Sequence, residues 1–294
     1  MDITTAREVP TDGANPLALE GIEYLEYVTA KPQALGQVLE QMGFRPIARH
    51  RSREVLLYRQ GEMNVIVNAH AGTVAAPVAP TLAAVALRVR DAAAAHARVL
   101  ELGAWDVPVQ VAPMELHIPA IHGPGASRIY FVDRHREFSI YHVDFVPIPG
   151  VGDDQGTAGE QPALAGLHWF GVVQYIGAER MDDWLHFYRT LFGFRLLADD
   201  ERFGILPRGR VLQSPDHGFY WQLIEPDPDV EADSDERLQR VAFGVPDVLA
   251  AVQRLQARGV SFVETASLHV ESRGALTQNW FGSLMFELVH HESA

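Results

Sequence analysis

The chain has 294 residues, 24 of them basic and 38 acidic, for a net charge of −14 at neutral pH. That balance argues against a nucleic-acid partner, because phosphate binding draws on clustered Lys and Arg. With no cysteine, disulfides, thiolate metal sites and a cysteine nucleophile are excluded, and no apolar run approaches the ~18 residues of a membrane span.

The opening segment, residues 1–17, lacks a basic stretch followed by an apolar one, so it reads as a loosely held tail and not as a secretion signal. The expected location is therefore the cytoplasm. "YLEYVTAKPQALGQVLEQMGF" (24–44) follows as a strand, a loop and an amphipathic helix over 32–42. "EVLLYRQGEMNVIVN" (54–68) alternates like a pair of antiparallel strands. "VALRVRDAAAAHARVLELGA" (85–104) is a strand and a helix over 91–102, with Asp91 at the N-cap and Gly103 at the stop. "FSIYHVDFV" (138–146) alternates and is expected to close this half as a strand. The Gly-, Pro- and acid-rich stretch 148–163 reads as a linker.

The pattern then repeats. "VVQYIGAERMDDWLHFYRTLFGF" (172–194) repeats the first strand and helix, with the helix over 181–192. "GFYWQLIEP" (218–226) alternates as a strand. "VAFGVPDVLAAVQRLQARGV" (241–260) repeats the second unit, with a helix over 247–258 bounded by Asp247 and Gly259. "SLMFELVHH" (283–291) is the last strand. The expected architecture is α+β, with domains at 18–147 and 164–294. Each domain is built from two β-α-β-β-β modules whose sheets form an open barrel, with the helices outside.

In the first half, "GIEYLEY", "HRSREVLLYRQGEMNVIVN", "MELHIPAI" and "SIYHVDFV" resemble the 4-hydroxyphenylpyruvate dioxygenase family of the vicinal-oxygen-chelate superfamily. In the second, "VVQYIGAERMDDW", "RFGILPRGRVL", "LQRVAFGVPDVLAAV" and "RGALTQNWFGSLMFELVHH" are similar to the dioxygenase-like region fused behind bacterial 3-dehydroshikimate dehydratases. The resemblance spans roughly residues 18 to 291 and implies a glyoxalase-like fold. In the dioxygenases it implies Fe(II) held by two histidines and a glutamate, with coordination positions left open for a 2-oxo acid and O₂.

Carried onto this chain, the resemblance places the carboxylate at Glu287 and the histidine positions at Gly171 and Arg240. A guanidinium stays protonated and cannot ligate a metal. His168 stands three residues before Gly171, an odd offset that points it to the opposite face of a regular strand. Only a bulge would bring it round as a substitute. Gln278 and Ser214 fall where the family has substrate-facing residues, and Arg240 completes the candidate binding set. Glu115, His117 and His122 read as structural. The sequence ends seven residues after Glu287, where the resemblance implies a helix that shields the site from water.

These readings point to a dioxygenase-like protein without a competent iron centre. It would need no cofactor and would bind a small aromatic or 2-oxo acid or support a partner enzyme, by resemblance a dehydroshikimate dehydratase. The alternative is an active Fe(II)-dependent dioxygenase with a remodelled site. A homodimer is the default assembly. The sharpest structural expectation is an ion pair between Arg240 and Glu287, since both positions face one metal in the relatives.

Overall fold

A computed structural model describes residues 15–69, 76–108, 115–135, 138–149, 162–198, 201, 203–205, 209–225 and 236–292. Residues 1–14 of the expected tail and 150–161 of the expected linker lie outside that set. The first half runs β1 (Leu19–Val28), α1 (Pro32–Gln41), β2 (Arg45–His50), β3 (Val55–Gln60), β4 (Met63–Asn68), β5 (Thr81–Val89), α2 (Ala92–Glu101), β6 (Ala120–His122) and β7 (Arg128–Val132). A short helix α3 (Ile140–Asp144) and strand β8 (Phe145–Pro147) complete it. The second half runs β9 (His168–Tyr175), α4 (Met181–Phe192), β10 (Arg195–Leu196), β11 (Arg210–Gln213), β12 (Tyr220–Ile224), β13 (Arg237–Val245), α5 (Val248–Gln256), β14 (Gly274–Leu276) and β15 (Phe286–His290).

The sheets repeat one another over seven strands, with β8 an additional edge strand of the first. The first has the order β6-β7-β5-β1-β4-β3-β2-β8, and the second, read from β14, has β14-β15-β13-β9-β12-β11-β10. The senses match as well: β1 is parallel to β4 as β9 is to β12, and β5 is parallel to β7 as β13 is to β15. Both sheets are mixed, and neither closes into a barrel. The four long helices start and stop for local reasons. Asp91 accepts the amide of Ala94, and Asp247 that of Ala250, each at 2.9 Å. Gly103 and Gly259 follow in the left-handed region, at φ +95° and +91°.

The helices pack on the outer faces of the sheets, where one apolar core joins the two halves. Phe44 lies 6.4 Å from Trp169 across this core, and Phe131 stacks on Phe192 at 6.3 Å. Each sheet encloses its own smaller cluster on the inner face: Tyr24, Leu57, Ile66, Ala86 and Tyr141 in the first, Phe170, Tyr220, Ala242 and Val289 in the second. No helix among the described residues is long and apolar enough to cross a membrane.

Three sequence expectations need correction. Residues 138–146 are not a strand throughout. Ser139 and His142 form a capping box, with the Ser139 amide donating to His142 Nδ1 at 3.2 Å, so α3 forms before the chain extends into β8. The counterpart of the last strand β15 is therefore β7. In the second and fourth modules, moreover, one strand of each expected set is reduced to a single bridge, Asp106 to Ile121 and Phe262 to Thr277.

Candidate functional site

The inner face of the second sheet is shaped by a β-bulge. On β9, Gly171 pairs with Ala242 and Trp169 with Phe243, so Phe170 is an extra residue. Ala242 in turn pairs with Glu287 on β15. Positions 171, 242 and 287 therefore stand in a row across three strands, with Arg240 one step further along the inner face of β13. The implied ligand positions do meet. Arg240 and Glu287 are both buried, and Arg240 Nε donates to Glu287 Oε2 at 3.3 Å. This is one long hydrogen bond, not the two parallel ones a guanidinium can make, because Oε1 is turned against Gly204. A Cβ added at Gly204 would lie 2.4 Å from Oε1. Burial pushes the Glu287 carboxyl above its usual range, and the Arg240 charge only partly opposes that.

Gly171 has no room for a side chain, since a Cβ there would sit 2.3 Å from the carbonyl oxygen of Tyr220. A histidine at this point would require the strand to move. The space beside Glu287 is filled by aromatic rings: Phe170 stacks on Tyr220 at 4.7 Å, and Phe203 packs against both. The cavity left among Phe170, Tyr220, Val289 and Glu287 has a volume of about 30 Å³. That admits on the order of one or two waters, against the roughly 300–1,000 Å³ of a typical ligand pocket. A donor set of glycine, guanidinium and one carboxylate does not fit Fe(II). Among the described residues no three His, Asp or Glu side chains converge as a metal-holding group.

The bulge corrects the expectation for His168. It turns this ring to the same side as Phe170, but towards His291 and not Glu287. His168 Nε2 meets His291 Nδ1 at 2.9 Å, and His168 Nδ1 meets the Gly166 carbonyl at 3.0 Å. His291 packs edge-on against Phe170 and Tyr220. Burial, followed by the neighbouring His168 and His290, holds the His291 pKa below its ordinary value. Ser214 and Gln278 do not join the site. Ser214 closes the turn between β11 and β12, its Oγ accepting the Phe219 amide at 3.1 Å. Gln278 is exposed, because β14 ends at Leu276 and Thr277 bonds back to the Phe286 amide. Glu115 pairs with Arg53 and accepts from the Ser52 hydroxyl, away from the Arg240–Glu287 contact. Glu225 caps α4 by accepting the Met181 amide at 3.1 Å.

Sequence reasoning passed over a polar cavity of about 640 Å³ in the first half, lined by Glu23, Arg59, Asn64, Arg88, His135 and Tyr141 among others. The available signal was a charge inside the strand "GIEYLEY": Glu23 is 1 % exposed.

A glyoxalase-like pair of repeated sheets with a row of converging inner-face positions defines a class, and comparison with known proteins agrees. The family described as "Hydroxyphenylpyruvate dioxygenase, HPPD, N-terminal" matches residues 14–146, and "Glyoxalase/Bleomycin resistance protein/Dioxygenase superfamily" matches 166–281. The chain belongs to the 4-hydroxyphenylpyruvate dioxygenase family. It is 34% identical over 267 residues to a 4-hydroxyphenylpyruvate dioxygenase of Pseudomonas sp. (strain P.J. 874), covering 85% of this chain and 72% of that protein. It is 33% identical over 269 residues to a 3-dehydroshikimate dehydratase of Pseudomonas aeruginosa, covering 83% of this chain but 40% of the dehydratase. Among solved structures, a xylose isomerase-like TIM barrel/4-hydroxyphenylpyruvate dioxygenase fusion protein shares the fold with a TM-score of 0.71 at 24% identity, over 97% of this chain and 51% of that one. A 4-hydroxymandelate synthase variant from Streptomyces coelicolor gives the same score at 18% identity, over 94% of each chain.

Proposed function

We propose that this chain is a non-catalytic member of the family, a small-molecule-binding or accessory protein in aromatic-acid metabolism. The observation that carries this reading is the buried contact between Arg240 and Glu287 at the point where the family's ligand positions meet. A fixed cation stands where the metal's charge would be, and a space of about 30 Å³ beside it cannot seat an aromatic 2-oxo acid. The similarity to a 3-dehydroshikimate dehydratase supports such an enzyme as the partner.

Elemental analysis of the purified protein, paired with oxygen uptake on 4-hydroxyphenylpyruvate, tests the proposal. The expected result is no stoichiometric Fe, Zn or Mn and no uptake above the rate without protein. About one metal per chain, lost on Glu287→Ala, would overturn it and reinstate the Fe(II)-dependent dioxygenase.

A further inference from the structure

The same bulge occurs in both halves. On β1, Ile22 pairs with Leu87 and Tyr24 with Ala86, leaving Glu23 as the extra residue, just as Phe170 is on β9. Matching registers make Tyr24 the counterpart of Gly171 and Tyr130 the counterpart of Glu287. At that depth the first half is sealed by Tyr24 against Tyr130, 6.1 Å apart. Above the seal it stays open, as the cavity of about 640 Å³.

The wall of this cavity is a connected polar network. Glu23 is held by Arg88 Nε at 2.6 Å and approached by Asn64 Nδ2 at 3.4 Å. Asn64 Oδ1 accepts from Arg59 Nε at 2.7 Å, and the Arg59 guanidinium lies over the Tyr141 ring at 5.3 Å. Arg88 has its carboxylate in Glu23. Among the described residues Arg59 has none within ion-pair distance, and its terminal N–H groups are uncommitted. Two buried polar atoms of the lining stand without a hydrogen-bond partner: His135 Nδ1 and the Tyr141 hydroxyl, which faces Glu23 without closing a bond of normal geometry. Native interiors rarely leave such groups unpaired.

We propose that this cavity is a binding site for a small hydroxylated monocarboxylate. Arg59 takes the carboxylate through its uncommitted N–H pair. The hydroxyls serve His135 Nδ1 and the Tyr141 hydroxyl, each of which can give or accept one hydrogen bond. Glu20 and Glu62 on the lining set the limit to one negative charge, since a second would face carboxylates. The volume lies within the range of small-ligand pockets. This site is separate from the Arg240–Glu287 centre, so it stands or falls independently of the metal analysis.

Calorimetric titration of the full chain with gluconate and with 4-hydroxybenzoate, each at up to millimolar concentration, tests the proposal. Neutral 4-hydroxybenzamide and citrate serve as the charge controls. At least one of the two monocarboxylates should bind, and neither control should. Arg59→Met should weaken binding about tenfold or more, as losing a charge-assisted pair implies. Arg59→Lys should fall in between, because it keeps the charge and loses the fork. Tyr141→Phe removes a single hydroxyl from an otherwise intact wall and should weaken the hydroxylated probe while leaving unsubstituted benzoate unchanged. Should Arg59→Met not fold, Arg59→Lys and Tyr141→Phe carry the test. Binding of neither monocarboxylate, or equal binding by wild type and the Arg59 variants, would overturn it.

Discussion

The two halves place a different residue on one architectural feature, the bulge of the first strand in each sheet. In the first half it is Glu23, with Asn64 on the neighbouring β4; in the second it is Phe170, with Tyr220 on β12. A carboxylate at the bulge has to be answered by cations and amides, and Arg88 and Asn64 supply them around open space. A phenyl ring is answered by other rings, and Phe203 and Tyr220 close the space. The roomy polar cavity thus lies in the half to which the resemblance assigns no ligand positions, and the apolar, nearly filled one in the half to which it assigns them. The same fold thus keeps an open cavity beside a carboxylate at the bulge and a nearly filled one beside a phenyl ring.

The largest effect expected from breaking this comparison is at the buried pair of the closed half. Arg240→Ala strands a buried carboxylate and should cost about 3–5 kcal/mol, whereas Arg240→Met with Glu287→Leu should come close to neutral. Denaturant unfolding of both variants checks this, and equal losses would mean that the two groups do not act as a pair. In Arg240→Met alone the Glu287 carboxyl, already raised, rises further. The folded state then takes up its proton before the unfolded state does, so the lost stability should return as the pH falls below neutral.

Next in size is Gly171. Alanine there must displace the Tyr220 carbonyl, and overpacking of this kind costs roughly 1–3 kcal/mol. The matching position in the open half is Tyr24, so a large side chain is native at one site and excluded at the other. A Gly171→Ala protein as stable as wild type would show that the strands can part, and would reopen the question of a histidine at this place. Smaller again, Asp91→Ala and Asp247→Ala should each cost about 1 kcal/mol, and by similar amounts, since both caps hold their amide at 2.9 Å. Clearly unequal losses would show that the repeat does not extend to the energetics of its helices.

Much of this was legible in the residues. Caps, stopping glycines and alternation fix the helices and the repeat, because each is a local signal. The meeting of Arg240 with Glu287 was expected from the family resemblance, which puts both positions on one metal, and the parallel register of β13 with β15 keeps them on one face. The bulge was not legible. "HWFGVV" is apolar on both faces, so an extra residue leaves no break in the pattern, and the side on which His168 emerges cannot be counted from Gly171. Ser214 and Gln278 failed for a related reason: each sits where a strand ends, and turn geometry, not strand period, decides where it points. Glu23 was visible as a charge within an apolar strand, but only the bulge and the distant Arg88 explain why it is buried.

The smallest effect expected is at His291, where the comparison becomes a matter of pH. Its counterpart end in the open half is polar; here the ring is wedged between Phe170, Tyr220 and His168. Burial, with His168 and His290 adding like charge, holds its pKa below the ordinary 6.5. As the pH drops from neutral through that value, the unfolded chain binds the proton first and the folded state loses stability. The contribution is complete above the unfolded pKa and disappears as the pH falls through the folded one. The raised carboxyls of Glu287 and Glu26 act in the opposite sense at lower pH. The informative quantity is therefore the difference between wild type and His291→Gln, compared by denaturant unfolding at neutral pH and at mildly acidic pH. Wild type should lose more stability on acidification than the variant does. If the two lose the same amount, the His168–His291 contact accommodates the proton, and the closed half is less tightly sealed than its rings suggest.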